Sequence, residues 1–178
     1  MSLHTKLAAF DYVVYQLTEW YSEKNGQWAN NDLSRLKVIK LLFFTAAATA
    51  SVHDAGLLTI FDSFAALPYG HVESEILDHM DESVVYDISR NNTMFKPGIH
   101  EYLTEDYLDN DVKNRIIHSI SILKEKNPDL INMNAFDLVD LSHRYQSWIT
   151  VFSLAKRNGK LSMPISCEMI MSEPKIFK

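Results

Sequence analysis

Residues 41–52 read LLFFTAAATASV, twelve consecutive positions without a charge. A helix that crosses a bilayer needs about 20 such residues, so this window reads as the most buried helix of a globular core. Leu36, Ile39, Phe43, Ala46 and Ala50 fall at spacings of three and four, which aligns them on one helical face. Asp32 is placed to cap this helix by accepting orphan backbone N–H groups, and Gly56 is placed to stop it. Arg35, Lys37 and Lys40 at its head read as a solvated rim whose aliphatic stems cover the core.

Working outward, Leu3, Leu7, Phe10, Val14, Leu17 and Tyr21 form a first helical stripe, broken by Asn25-Gly26. Residues 57–71 (LLTIFDSFAALPYGH) read as an extended, turn-rich connection, because Pro68 and Gly70 punctuate rather than continue a helix. Val72, Ile76, Met80 and Val84, four apart, predict a short third helix. Residues 85–103 read as a surface loop marked by Asn91-Asn92 and Pro97-Gly98. Thr104 can cap a fourth helix whose face is Leu108, Val112, Ile116, Ile120 and Leu123, ending before Asn127-Pro128. Asn134 and Asp137 resemble a capping box opening a stripe of Leu138, Leu141, Tyr145, Trp148, Phe152 and Ala155 that ends at Asn158-Gly159. The tail from Leu161 reads as a strand or an extended arm. The expectation is mainly α: a single compact helical domain over residues 1–178, with about five to seven helices and a short extended or β segment around 57–70 and in the C-terminal tail.

The chain has 178 residues, with 17 Lys and Arg against 23 Asp and Glu, a formal charge of −6. That sign is a poor match to phosphate backbones and makes nucleic acid an unlikely partner. The charge is uneven: residues 73–111 hold eleven acids against Arg90 and Lys96, while residues 112–178 carry ten bases against six acids. A concentrated acidic region can steer a basic protein partner. The lone Cys167 excludes an internal disulfide framework, and residues 1–16 lack a secretory h-region, so the expectation is a soluble, cytoplasmic protein with no membrane association.

Catalytic signals are sparse. The chain holds no Gly-x-Ser-x-Gly elbow, no phosphate-cradling glycine loop and no His-Glu-x-x-His helix. Cys167 sits among Ile165, Met169 and Ile170, the setting of an inert buried thiol. His71, Glu75 and His79 are four apart, but the outer two stand about 12 Å apart along a helix, too far to share one ion. No cofactor, metal or catalytic residue is expected. Two alternatives keep named residues: a hidden metal-dependent hydrolase using His71, Glu75 and His143, and a DNA-binding autoregulator using Arg35, Lys37 and Lys40.

Three stretches in one order carry a resemblance: Lys40-Leu41-Leu42-Phe43; Phe64-Ala65-Ala66-Leu67-Pro68-Tyr69-Gly70-His71-Val72; and Leu138-Val139-Asp140-Leu141-Ser142-His143 followed by Trp148. Together they resemble the antitoxin SocA-like Panacea-domain family, also described as phage-associated proteins. The chain departs from the family pattern at Phe43, where Tyr is usual, and at His71, where Pro usually follows the glycine. The resemblance implies a helical, non-enzymatic domain that neutralises a cognate toxin and in some members presents it to a housekeeping protease. It marks Lys40, Phe43, Phe64, Tyr69, Gly70, His71, His143 and Trp148 as residues of fold or interface. A groove formed by His143, Tyr69 and Trp148 is the functional reading, and a packed ring beside a hydrogen-bonded core histidine the structural one. The identity of the toxin and the oligomeric state stay open at this level.

Overall fold

The computed structural model describes residues 2–97 and 107–178. Helix α1 (Leu3–Asn25) starts at Ser2, whose hydroxyl accepts from Thr5 N, and ends at Gly26 in the left-handed region. Helix α2 (Arg35–Ala48) is the centre of the molecule, buried at every position from Lys37 to Ala47 and packed by α1, by β2 (Gly70–Glu73), by α4 (Asn110–Lys126) and by α5 (Ala135–Ser142). The remaining helices are α3 (Ser74–His79), α6 (Gln146–Arg157) and α7 (Cys167–Ser172). Strand β1 (Phe64–Leu67) pairs antiparallel with β2, Ala66 standing opposite His71, and β5 (Met163–Pro164) completes a sheet of order β2-β1-β5. A second hairpin joins β3 (Tyr86–Ile88) to β4 (Thr93–Phe95). Among the described residues no helix is long and apolar enough to cross a membrane.

The mainly helical expectation holds, with an extended element in 57–70 and another in the tail. Several details differ. Helix α2 is capped by Ser34, whose hydroxyl accepts from Lys37 N, while Asp32 takes the Lys37 ammonium at 2.7 Å. Leu33 and Val38, both fully buried, occupy the positions of a hydrophobic staple and set that start. Gly56 does not stop α2, which ends at Ala48; it opens a 3-10 turn (Gly56–Thr59), where a Cβ would lie 2.5 Å from Thr49 Oγ1. Lys37 and Lys40 are not a solvated rim: neither has any solvent exposure, and Arg35 is drawn into a two-point ion pair with Asp81. With two of its three bases buried, that helix head offers no basic surface to a phosphate backbone.

The third helix is only six residues, because Val72 belongs to β2 and Met80 to a 3-10 turn. Within 85–103, residues 86–95 form a hairpin, with Asn91-Asn92 in its turn region; Tyr86, Asp87 and Ile88 alternate in, out, in, a period of two too short to stand out in the sequence. The proposed cap Thr104 lies outside the described residues; Asp109 caps α4, and Val112, Ile116, Ile120 and Leu123 face the core as the spacing predicts. The stripe from Leu138 to Ala155 is broken at residues 143–145, separating α5 from α6. The cause is tertiary: Tyr145 turns extended so that its hydroxyl donates to Ile176 O and accepts from Ile176 N. Asn134 caps α5 and donates to Asp137, and α6 ends at Asn158-Gly159, both as read. The tail is part strand (β5) and part helix (α7).

One charged cluster ties α1 to the sheet. Glu73 is fully buried at the end of β2, accepts from Ser63 N and Ile76 N, and receives the Lys6 ammonium at 2.9 Å. Asp62 and Glu75 also accept from Lys6, at 2.6 and 2.5 Å. Burial alone would lower the Lys6 pKa, but bonds to Asp62, Glu75 and Glu73 raise it above the ordinary lysine range. Lys6→Met strands the Glu73 carboxylate in the core, so urea denaturation should show a loss of about 3 kcal/mol, and Lys6→Met with Glu73→Gln should lose distinctly less.

Candidate functional site

Strand β2 is an edge strand, yet all four of its residues are buried. A buried edge leaves backbone groups that neither water nor a neighbouring strand can satisfy, and each must find a side chain. At His71 those side chains are Lys40 and Ser142. The Lys40 ammonium donates to His71 O at 2.5 Å, and His71 N donates to Ser142 Oγ at 3.1 Å. The long stem of Lys40 carries a donor from the centre of α2 to a carbonyl 31 residues away in sequence. Burial lowers the Lys40 pKa to about 7, with no carboxylate among the described residues bonded to it.

The His71 ring is held on every side. Phe43 stacks on it at 3.8 Å and 8°, Tyr145 meets it edge-on at 5.6 Å, and Phe43 in turn meets Phe64 edge-on at 5.7 Å. Its Nδ1 lies 2.9 Å from Ser142 Oγ and its Nε2 2.8 Å from Ser147 Oγ. The Glu173 carboxylate settles the direction of the chain, because it only accepts. Ser147 Oγ donates to Glu173 Oε1 at 2.6 Å and therefore accepts from His71 Nε2–H; His71 Nδ1 is then the acceptor for the Ser142 hydroxyl. Ser147 N also donates to Glu173, at 2.8 Å. Burial first, then the neighbouring Lys40 and His143, hold His71 well below the ordinary histidine pKa, and a neutral ring is what this pattern requires. Gly70, at φ +91°, lets the backbone pass: a Cβ there would sit 2.5 Å from Ser142 Oγ and 3.2 Å from Lys40 Nζ.

Beside this locked layer lies a partly exposed one. Tyr69, at the tip of the β1–β2 turn, is 58% exposed and meets Phe136, 63% exposed, edge-on at 6.3 Å. His143 bonds the Pro68 backbone and stacks on Trp148 at 3.8 Å; Trp148 stacks on Phe152 at 4.9 Å and donates to Leu67 O. Lys156 stands 5.2 Å over the Phe152 ring. The rings form a shelf from α5 across the turn to α6.

The structure thus gathers Lys40, Phe43, Phe64, Gly70 and His71 within the core, leaves Tyr69 exposed, and holds His143 and Trp148 half-buried between them and solvent. It does not bring His71, Glu75 and His79 together: His71 faces inward, Glu75 binds Lys6, and His79 pairs with Glu82. Asp62, Glu73 and Glu75 lie close enough to share a cation, and the Lys6 ammonium occupies that place. Cys167 is half-buried, and burial first, then its acidic neighbours, raise its pKa against the opposing charge of Lys6, which works against the reactive thiolate. Sequence reasoning missed Ser142, Ser147, Glu173 and Phe136. Ser142 lay inside a quoted motif, whereas Glu173 meets Ser147 across 26 residues of unrelated chain.

Comparison with protein-family models, curated proteins and solved structures finds no match. Chemically, the Ser142–His71–Ser147–Glu173 chain has the polarity of an acid–base relay, but Ser142 and His71 have no solvent exposure. These bonds join the turn to α5, α6 and the tail.

Two outcomes follow from the buried layer. Between pH 7 and about 10.5 the unfolded chain binds a proton at residue 40 that the folded chain does not, so this group makes stability rise with pH. Lys40→Met should flatten the pH dependence of the urea midpoint over that window, removing a slope of up to about 1.4 kcal/mol per pH unit. Gly70→Ala combines the strained φ with the Ser142 clash and should cost about 2 kcal/mol or more, read by thermal unfolding.

Proposed function

We propose that this chain is a non-enzymatic protein-binding module of the antitoxin type, which neutralises a cognate toxin through the aromatic shelf of Tyr69, Phe136, His143, Trp148 and Phe152. The observation that carries the reading is the contrast between the two layers. Tyr69 and Phe136 are more than half exposed, while the turn that displays Tyr69 is fixed from beneath by Lys40, Ser142 and Gly70. Large rings on a rigid backbone give contact area at low entropic cost, the usual composition of a binding hot spot. The resemblance to SocA-like Panacea domains supports the same reading, since its marked residues fall in these two layers. A proteolytic-adaptor role, presenting the toxin to a housekeeping protease, belongs to this reading as its extension.

A hydrolase reading is disfavoured by the burial of Ser142 and His71, and by the engagement of Glu75 with Lys6 away from them. The partner to test is the product of the adjacent open reading frame, toxic alone and rescued by this chain. Tyr69→Ala with Phe136→Ala should abolish rescue and weaken binding of the purified partner about thirtyfold, the equivalent of ~2 kcal/mol. The melting temperature should stay within a few degrees of the parent, as both side chains are mostly solvated. Full rescue by the double variant would reject the shelf as the docking surface.

A further inference from the structure

We propose that the same shelf is a self-association face, on which two copies of this chain dock across a two-fold axis with Asp140 of each opposite Lys156 of the other. The inference rests on the reading of the shelf as a docking surface and adds how that surface is regulated.

Phe136, Asp140 and His143 follow at spacings of four and three along α5, and Trp148, Phe152 and Lys156 at four and four along α6. The His143–Trp148 stack joins the two stripes into one band. Asp140 lies on the α5 side of that stack, close enough for its charge to act on His143, and Lys156 closes the α6 end over Phe152. Both are exposed, and neither has an ion-pair partner among the described residues.

From Asp140 onward the band therefore reads acid, rings, base, with Phe136 and Tyr69 beyond the acid. A partner surface of one charge sign gains at one end of it and is repelled at the other. A half-turn about an axis through the rings places the acid of one copy on the base of the next, twice, with the edges of the half-buried His143–Trp148–Phe152 stack between them. That is the self-complementarity a two-fold interface requires. Such a dimer covers Trp148 and its neighbours, so self-association and partner binding exclude one another, and the free chain masks its own docking surface until a partner competes for it.

Sedimentation velocity on the full chain tests this over about 1 to 200 μM, a range suited to a small interface. A monomer–dimer equilibrium is expected. Lys156→Glu and Asp140→Lys should each weaken it about tenfold, because every reversal acts at both symmetric contacts. The combined Asp140→Lys, Lys156→Glu chain should recover the parental constant within about threefold. A monomer throughout, a dimer indifferent to both reversals, or a combined variant no better than the singles overturns the proposal. Should the chain be monomeric while Tyr69→Ala with Phe136→Ala still destroys partner binding, only self-association is lost. If charge exchange rescues the dimer while those alanines spare partner binding, the shelf is a self-association face and the antitoxin docking surface lies elsewhere.

Discussion

A buried sheet edge is the constraint on which this structure turns. Strand β2 lies against α2 and α5 with no neighbouring strand on its outer side among the described residues, and the backbone of His71 is satisfied there by side chains. Lysine at position 40 and serine at 142 do this from two different helices, one supplying a donor and the other accepting. An apolar residue at either position would leave a buried amide or carbonyl unpaired, at a cost of about 1–3 kcal/mol. The same need explains an amine in the middle of the most apolar helix, where hydrophobic patterning alone would place leucine.

From that edge the network spreads by the donor and acceptor limits of each group. Ser142 serves His71 at both its backbone and its ring, the ring commits Ser147, and Ser147 commits Glu173. Glu173 belongs to the tail that follows α7, so the tail is anchored to the hairpin through three side chains; Tyr145 and Asn127 fasten it further at Ile176 and Phe177. The break between α5 and α6 belongs to this arrangement. A continuous helix through residues 143–145 would carry Tyr145 away from Ile176.

These relations explain what could be read from the sequence. Helices that bury an amphipathic stripe, such as α1 and α4, declare themselves by spacing, and the Asn134 cap and Asn158-Gly159 stop are local chemistry. Lys37 and Lys40 mislead because a lysine at a helix head usually snorkels to water; the acceptor of Lys37, Asp32, is local but reads equally as a helix cap, and that of Lys40 is a carbonyl in a distant strand. The two short hairpins are set by tertiary pairing, with too few residues for alternation to be distinctive. The motif residues were recognisable as a group, but their division into a locked layer and a displayed layer depends on which way each turns from the hairpin.

The acidic region is also altered by the fold. Of its described members, Glu73 and Glu75 are engaged by Lys6, Asp81 by Arg35, and Glu82 by His79. Much of that charge is therefore employed in joining α1 and α2 to the segment around α3, which leaves less of it to attract a partner at a distance. Asp140 and Lys156, exposed beside the rings and without an ion-pair partner among the described residues, flank the stack on which the proposed contact would be made. In water a single exposed pair contributes little, and its value rises as neighbouring rings exclude solvent from it. In the proposed docking, charge selects the orientation and the rings supply the affinity.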